Sequence, residues 1–454
     1  MGLISKPNKH IFIGVLKIAI KFPIALLKQI NITNWKTLKR AILNEPPDLI
    51  FNNIKSLLQN TQDFSIKKSS KSIKNFIREI ETNYKEKEII ICISHEATRT
   101  GAPAIIMNIG KHVKEEALYF PIFILIKGGS QHSDFLDLSP TYLLANSNSQ
   151  NNLKNEIKIL LTELKGIFKI RACLFNSEGS THLLKPFTKL NIENKISLVH
   201  EMGNYYPPDA WKHIDKYSNT VIFPSEIIKR YANINTRFYR STTVVHGQGL
   251  MKTKLLQMSK QNSKKAVCKN LNIPFNSTIV LGCGLADARK GIDLFTSIAI
   301  HTIRNLDKDI YFIWIGEAKR NEIQIWVERD IETSKLSNKI LFIGSIKDPS
   351  AYFCGSDIFL MSSRGDPFPC VSQEALAAGL PVIAFKDAGG TPEMLTNETG
   401  FVVPYADVVT ASIKIRYLAK NQNVLDKMSL KSRKHAALNH SFKKYYHSIK
   451  KYWN

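Results

Sequence analysis

Asp366 and Glu374 stand eight positions apart, separated by Pro367-Phe368-Pro369-Cys370-Val371-Ser372-Gln373. A strand is expected to end near Met361. A loop stiffened by its two prolines would then carry Asp366. A helix would run from about Cys370 to Gly379, a good C-cap residue. Asp366 then sits at the mouth of a cleft, with Glu374 about one turn into the helix. Two carboxylates at that offset can reach opposite ends of one long ligand. The free amides of the helix start suit a phosphate between them. The same residues also fit a blander arrangement, an N-terminal cap acid and a surface glutamate.

Other chemistry-bearing residues fall at similar places. Arg289 and Lys290 precede Gly291, just after an apolar strand that ends near Gly282. Gly389-Gly390-Thr391 follows the run Val382–Phe385, and paired glycines let backbone amides approach an anion closely. Gly101, in Thr100-Gly101-Ala102-Pro103, and His200, followed by Glu201, lie where strands give way to helices. His200 fits either a ligand contact or a satisfied structural histidine. His95-Glu96 occupies a comparable strand end and ranks below it. His246 falls near the expected interdomain linker.

These residues need a scaffold that brings strand ends together. Apolar runs at Glu88–Ser94, Tyr119–Ile126, Ile170–Asn176, Lys195–His200 and Thr220–Pro224 alternate with helical stretches. A second series comprises Thr278–Gly282, Ile310–Gly316, Lys339–Gly344, Ile358–Met361, Val382–Phe385 and Gly400–Val403. Such alternation argues for parallel α/β sheets, which bind ligands at their carboxyl edges. The expected layout is a basic helical extension over 1–84 and a Rossmann-like domain over 85–248. A linker over 249–277 leads to a second Rossmann-like domain over 278–430, and a C-terminal helix over 431–454 packs back on the first.

The block Asp366 to Val382 resembles the signature of the retaining glycosyltransferases of family 4, also described as glycosyl transferases group 1. That signature is an acid, seven residues, Glu, then small residues and Gly-x-Pro-Val. The family has the GT-B fold, two facing Rossmann-like doubly wound domains with a last helix that crosses back. The first acid is usually Glu, and Asp366 is a shorter substitute. The family also places a Lys before Gly after the first strand of the second domain, with an Arg five residues earlier. Lys290 matches, but Leu285 holds the Arg position, and Arg289 offers a second charge from another direction. The resemblance is dense over 278–405, patchy over 89–248 and absent over 1–84.

The resemblance implies that Glu374 holds ribose hydroxyls and that Asp366 holds donor-sugar hydroxyls near the reacting carbon. It places Phe368 beside that sugar. It assigns Arg289, Lys290, Gly101, Gly389, Gly390 and Thr391 to the donor diphosphate, and makes His200 an active-site histidine. The implied enzyme is a hexosyltransferase-type glycosyltransferase that retains anomeric configuration and needs neither metal nor cofactor, the nucleotide-sugar being a co-substrate. A saccharide or lipid-linked acceptor for lipopolysaccharide, capsule or exopolysaccharide fits such enzymes. The rival readings are a catalytically silent nucleotide-sugar-binding module and a nucleotide-sugar epimerase or hydrolase on the same fold.

Composition sets the outer bounds. The 454 residues are 44% hydrophobic and 22% charged, which excludes a disordered chain, a collagen and a coiled-coil rod. The six cysteines form no CxxC pair and read as reduced thiols in a cytosolic chain. Asp307-Lys308-Asp309 matches a short metal motif but precedes a strand. Gly282 and Gly284 lack the rest of a dinucleotide fingerprint. The net charge of +25 divides into +10 over residues 1–80, +8 over 420–454 and only +7 between. No nucleic-acid module accompanies it. Lys17, Lys21 and Lys28 share one helical stripe beside Ile13, Leu16, Ile20, Ile24 and Leu27, a pattern that fits an interfacial helix or one packed on a neighbouring domain. Lys17, Lys21 and Pro23 argue against a spanning segment there. The expected location is cytoplasmic, with peripheral docking at an anionic inner membrane surface.

Overall fold

The computed structural model is described by its unit Lys71–Asn454. It describes residues 73–84, 87–144, 150–189, 192–203, 205–318 and 321–454, all within that unit. The basic extension before Ile73, with its lysine stripe, lies outside the described residues.

Two parallel sheets organise this unit. The first contains β1 (Ile89–Ser94), β2 (Phe120–Leu125), β3 (Thr141–Leu143), β4 (Ile170–Asn176), β5 (Lys195–Leu198), β6 (Thr220–Phe223) and β7 (Thr242–Val245), in the order β3-β2-β1-β4-β5-β6-β7. The second contains β8 (Thr278–Cys283), β9 (Ile310–Ile315), β10 (Ile340–Phe342), β11 (Ile358–Met361), β12 (Val382–Phe385) and β13 (Gly400–Val403), in the order β10-β9-β8-β11-β12-β13. Both are doubly wound and Rossmann-like. The strand order reverses between β1 and β4 in one sheet and between β8 and β11 in the other, and such switch points open a crevice for ligands.

Sequence explains the central strands directly. β1 reads Ile-Ile-Ile-Cys-Ile-Ser and every residue is buried. Helices cover both faces, so a continuous apolar run replaces the alternation of a half-exposed strand. Ile89, Ile91 and Ile93 join one apolar layer, whereas Ile90 and Cys92 join the layer behind the sheet.

Three stretches sit differently from the sequence expectation. The helix Ile73–Tyr84, expected in the extension, buries Phe76, Ile77 and Ile80 in the first domain's core. Its apolar residues at i, i+1 and i+4 form the stripe that demands a partner. The stretch expected as a linker, 249–277, is built into the second domain. Its 3-10 turn Thr253–Leu256 and helix Lys260–Leu271 bury Leu255, Val267 and Cys268 against that sheet. Finally, the helix Gln422–Asn439 stays on the second domain beyond residue 430, and the chain crosses only at His440–Ser441.

After that crossing, the helix Phe442–Lys450 packs on the first domain. Phe442, Tyr445, Tyr446, Ile449 and Trp453 are buried in the layer that also contains Ile105, Ile106 and Phe123. Glu116 anchors it, accepting from Tyr446 Oη at 2.8 Å and Lys450 Nζ at 2.6 Å. The two crossings between domains run side by side, with Leu250 N–H donating to His440 O at 2.6 Å. Gly249 allows this approach, because a Cβ there would lie 2.2 Å from Phe442 Cα.

Candidate functional site

Three adjacent strand ends in the second domain supply one cluster. The loop after β8 carries Arg289 and Lys290, the loop after β11 carries Asp366, and the loop after β12 carries Gly389-Gly390. Lys290 Nζ pairs with Asp366 Oδ2. Arg289 Nη1 is 3.9 Å from the same oxygen and donates to Gly365 O at 3.1 Å. Gly291 lets the Lys290 turn close, since its φ is 70° and a Cβ would sit 2.1 Å from Ser362 O.

Arg364 holds these two loops in register. Its Nη1 and Nη2 donate to Asp293 Oδ1 and Oδ2 at 2.8 and 2.6 Å, and Nη1 also reaches Ala288 O at 2.7 Å. A planar fork on a carboxylate fixes direction as well as distance.

The helix Cys370–Ala378 begins beside this cluster and ends at Gly379, which is left-handed at φ 82°. Its residues from Ser372 to Ala378 are all buried, and small side chains allow the close packing. Glu374 projects from it with only 8% of its side chain exposed, and Lys252 Nζ lies 2.9 Å from Oε1. Burial pushes the Glu374 carboxyl above its ordinary range, and the Lys252 ammonium opposes that rise. The Cys370 thiol at the helix start is pushed up to about 12, first by burial and then by Glu374 and Asp366. It is therefore a protonated, unreactive thiol at neutral pH.

The Gly389-Gly390 loop is bound to the Asp366 loop. Asp366 N–H donates to Ala388 O at 2.8 Å, and Gly390 N–H donates to Asp366 O and Pro367 O at 3.2 and 3.0 Å. A Cβ on Gly389 would lie 1.7 Å from Asp366 O. These glycines are needed for loop-on-loop contact, and the Gly390 amide is already engaged there. The Thr391 hydroxyl is buried and sits 3.0 Å from Ser372 Oγ. Phe368 is buried at the junction of the domains, where a Cβ on Gly247 would come within 2.9 Å of its ring.

A second cluster occupies the switch point of the first sheet. His200 follows β5, and its Nε2 lies 2.7 Å from Asn176 Oδ1 at the end of β4. Asn176 Nδ2 donates to Ala102 O at 2.8 Å, which orients the amide so that Oδ1 faces the imidazole. His200 Nδ1 in turn receives Gln248 Nε2 at 2.7 Å. These partners select the neutral tautomer with hydrogen on Nε2. Burial, with a smaller push from His95, takes the His200 pKa down to about 3. Nearby, burial and then Glu201 raise the Glu178 carboxyl to about 7. Ser177, between Asn176 and Glu178, has a φ of 78°, a strained backbone for a residue other than glycine.

The two clusters face each other. A Cβ on Gly101 would lie 3.7 Å from Cys370 Sγ, and one on Gly365 would lie 3.1 Å from Tyr205 Oη. Asp366, Lys290, Arg289, Gly389 and Gly390 are thus brought together, Glu374 lies farther along the helix, and Gly101 approaches from the opposite domain. His200 is held within the first domain. Elsewhere, Asp309 pairs with Lys339 at 3.0 Å at the start of β9. His246 Nε2 meets Tyr452 Oη at 2.8 Å. Among the described residues, no group of three or more His, Cys, Asp or Glu is arranged to hold a metal ion, and no helix is long and apolar enough to cross a membrane.

Sequence reasoning missed Lys252, Arg364, Asn176 and Gln248. Lys252 and Gln248 lie at or within the stretch read as a linker, and Arg364 has its carboxylate partner, Asp293, 71 residues away in the chain. Asn176 is the last residue of β4, and that strand-end position was the available signal.

Residues 277–421 match the family model described as Glycosyl transferases group 1. The chain is 33% identical over 125 residues to the O-antigen biosynthesis glycosyltransferase WclY of Escherichia coli, covering 27% of this chain and 33% of that protein. It is 28% identical over 132 residues to the lipopolysaccharide core biosynthesis mannosyltransferase LpcC of Rhizobium leguminosarum, covering 28% and 37%. The matches span about a third of the length of these curated relatives. Among solved structures, HepE of Anabaena in complex with UDP and glucose superposes with a TM-score of 0.69 at 15% identity, covering 81% of this chain and 99% of that one. WaaG, a glycosyltransferase involved in lipopolysaccharide biosynthesis, superposes with a TM-score of 0.58 at 12% identity, covering 80% and 98%. The fold is GT-B.

Proposed function

We propose that this chain is a retaining glycosyltransferase of family 4 that moves a sugar from a nucleotide-sugar to a saccharide or lipid-linked acceptor in cell-surface glycan biosynthesis. The observation that carries this reading is the Lys290–Asp366 pair beside the start of the helix Cys370–Ala378, with Glu374 one turn along that helix, at the β8/β11 switch point. In this reading Glu374 receives the ribose hydroxyls and Asp366 the donor-sugar hydroxyls. Lys290, Arg289 and the helix amides take up the charge that grows on the diphosphate as the glycosidic C–O bond breaks. The acceptor hydroxyl attacks from the face the nucleotide leaves, and the departing phosphate oxygen takes its proton, so configuration is retained and no metal is used. The first domain, with Gly101 and the His200 cluster, closes over the donor and excludes water.

The names of the relatives support the cell-surface setting, and the UDP and glucose in the HepE structure support a nucleotide-sugar donor. The basic C-terminal stretch supports a cytoplasmic enzyme that docks on an anionic membrane carrying its acceptor. Lys443, Lys444 and Lys451 are exposed on the first-domain side. Binding to phosphatidylglycerol vesicles that weakens with added salt is the expected result; binding indifferent to salt argues against docking.

A screen of UDP-, GDP- and dTDP-sugars with saccharide acceptors tests the central reading. Transfer that requires an acceptor and disappears in Glu374→Ala is expected. Full activity in that variant overturns the assignment. Altered donor formed without an acceptor points to an epimerase, and donor binding without turnover points to a silent module.

A further inference from the structure

The donor-site reading leaves an electrostatic deficit. A diphosphate brings at least two negative charges. Lys290 is already paired with Asp366, and Arg289 is turned onto the Gly365 carbonyl. At the position where the family resemblance asks for arginine stands Leu285, an apolar side chain 37% exposed.

Lys252 is placed to make up that deficit. It starts the 3-10 turn Thr253–Leu256, which packs on the helix Cys370–Ala378 through buried Leu255. Cys354 Sγ, 3.8 Å from Leu255 O, helps hold the turn. The Lys252 ammonium is thereby fixed 2.9 Å from Glu374 Oε1, with 41% of its side chain open to solvent. Lys252 and Lys290 both act electrostatically on the Cys283 and Cys370 thiols, so both ammonium groups lie near the start of that helix. A carboxylate has lone pairs enough to keep Lys252 and still receive ribose hydroxyls. The nearest anion to that end of the ribose is the first phosphate, within reach of a flexible four-carbon side chain.

We infer that Lys252 is a donor-recognition residue that bridges Glu374 and the nucleotide's phosphates, adding to Lys290 and Arg289 a cation that Leu285 does not supply. The inference rests on the donor-site reading of this cleft.

Calorimetric binding of UDP, GDP and dTDP, each compared with its nucleoside, tests this in the full chain. For the nucleotide that binds the wild type, Lys252→Met is expected to weaken the diphosphate tenfold or more while leaving the nucleoside within about twofold. Lys252→Arg should stay within about threefold, and adding Leu285→Arg to Lys252→Met should recover most of the lost affinity. An equal loss for nucleoside and diphosphate overturns the inference, because Lys252 would then only position Glu374. Unchanged diphosphate binding in Lys252→Met overturns it as well, while leaving the donor site standing. A wild-type protein that binds none of the three diphosphates overturns the donor-site reading, and this inference with it.

Discussion

The Glu393 carboxylate, in the second domain, accepts the backbone N–H of Glu226, in the first, at 2.8 Å. Its other oxygen accepts Ile227 N–H at the same distance. It therefore caps the helix Glu226–Asn235 from across the cleft, where the helix dipole favours an anion. Arg230 adds an ion pair with Asp387 at 3.0 Å. Glu393 lies two residues after Thr391, so the segment that follows the Gly389-Gly390 loop is the one that meets the first domain here.

Glu393→Ala should uncap that helix without touching a buried core. Loss of a cap costs about 1 kcal/mol, so hydrogen exchange at residues 226–229 should speed up about fivefold. Unchanged exchange there would show that the cross-domain cap contributes nothing in solution.

Gly389→Ala forces a Cβ into the Asp366 carbonyl at a φ of 135°, where only glycine is comfortable. A loss of about 2 kcal/mol or more in urea denaturation is expected, together with loss of donor binding. Gly166→Ala is the control. A Cβ there meets nothing within 4 Å and the site is an exposed helix position, so stability should rise by about 0.5–1 kcal/mol.

Arg364→Lys keeps the charge and discards the fork. With both partners of the Asp293 pair about a third exposed, the stability cost should be only about 1 kcal/mol. The loop carrying Lys290 should loosen nonetheless, and KM for the donor should rise several-fold with a smaller change in kcat. The opposite split would show that the fork does not shape the donor site.

His200 gives the fold a sensitivity to acid. Its pKa is about 3 in the folded chain against an ordinary 6.5, so the unfolded chain binds more protons between those values. The stability from neutral His200 is complete above pH 6.5 and is lost progressively as pH falls toward 3. Glu178, raised to about 7, works in the opposite sense, favouring the folded chain as pH falls from 7 toward 4.5. Denaturation midpoints measured from pH 7 to pH 5 should therefore fall less steeply in His200→Gln than in the wild type. An equal slope would mean that the imidazole is not buried as neutral.

The central strands were legible because burial on both faces leaves an unmistakable apolar run: Ile170–Asn176, Ile358–Met361 and Val382–Phe385 match the sequence reading residue for residue. β3 and β7 were not. Thr141–Leu143 is three residues long, and Thr242–Val245 is a partly exposed edge strand. Neither carries a hydrophobic pattern strong enough to stand out. In the site, the resemblance pointed to Asp366, Lys290 and Glu374; the first two pair beside a helix start and the third lies one turn along that helix. Lys252 and Glu393 stayed hidden because their partners are distant in the chain. Lys252 meets a carboxylate on another helix and Glu393 meets backbone amides, and neither kind of partner leaves a spacing in the sequence.

The seating of Phe442, Tyr445, Tyr446, Ile449 and Trp453 in the first domain's core has a consequence for biosynthesis. On the ribosome, the strands from β1 to β7 emerge early, and domains ordinarily fold in the order they are made. Here an entire second domain must be translated before the helix that covers Ile105, Ile106 and Phe123 becomes available. Throughout that interval the nascent first domain presents a sticky apolar face, and it becomes a finished object only when the tail returns to it.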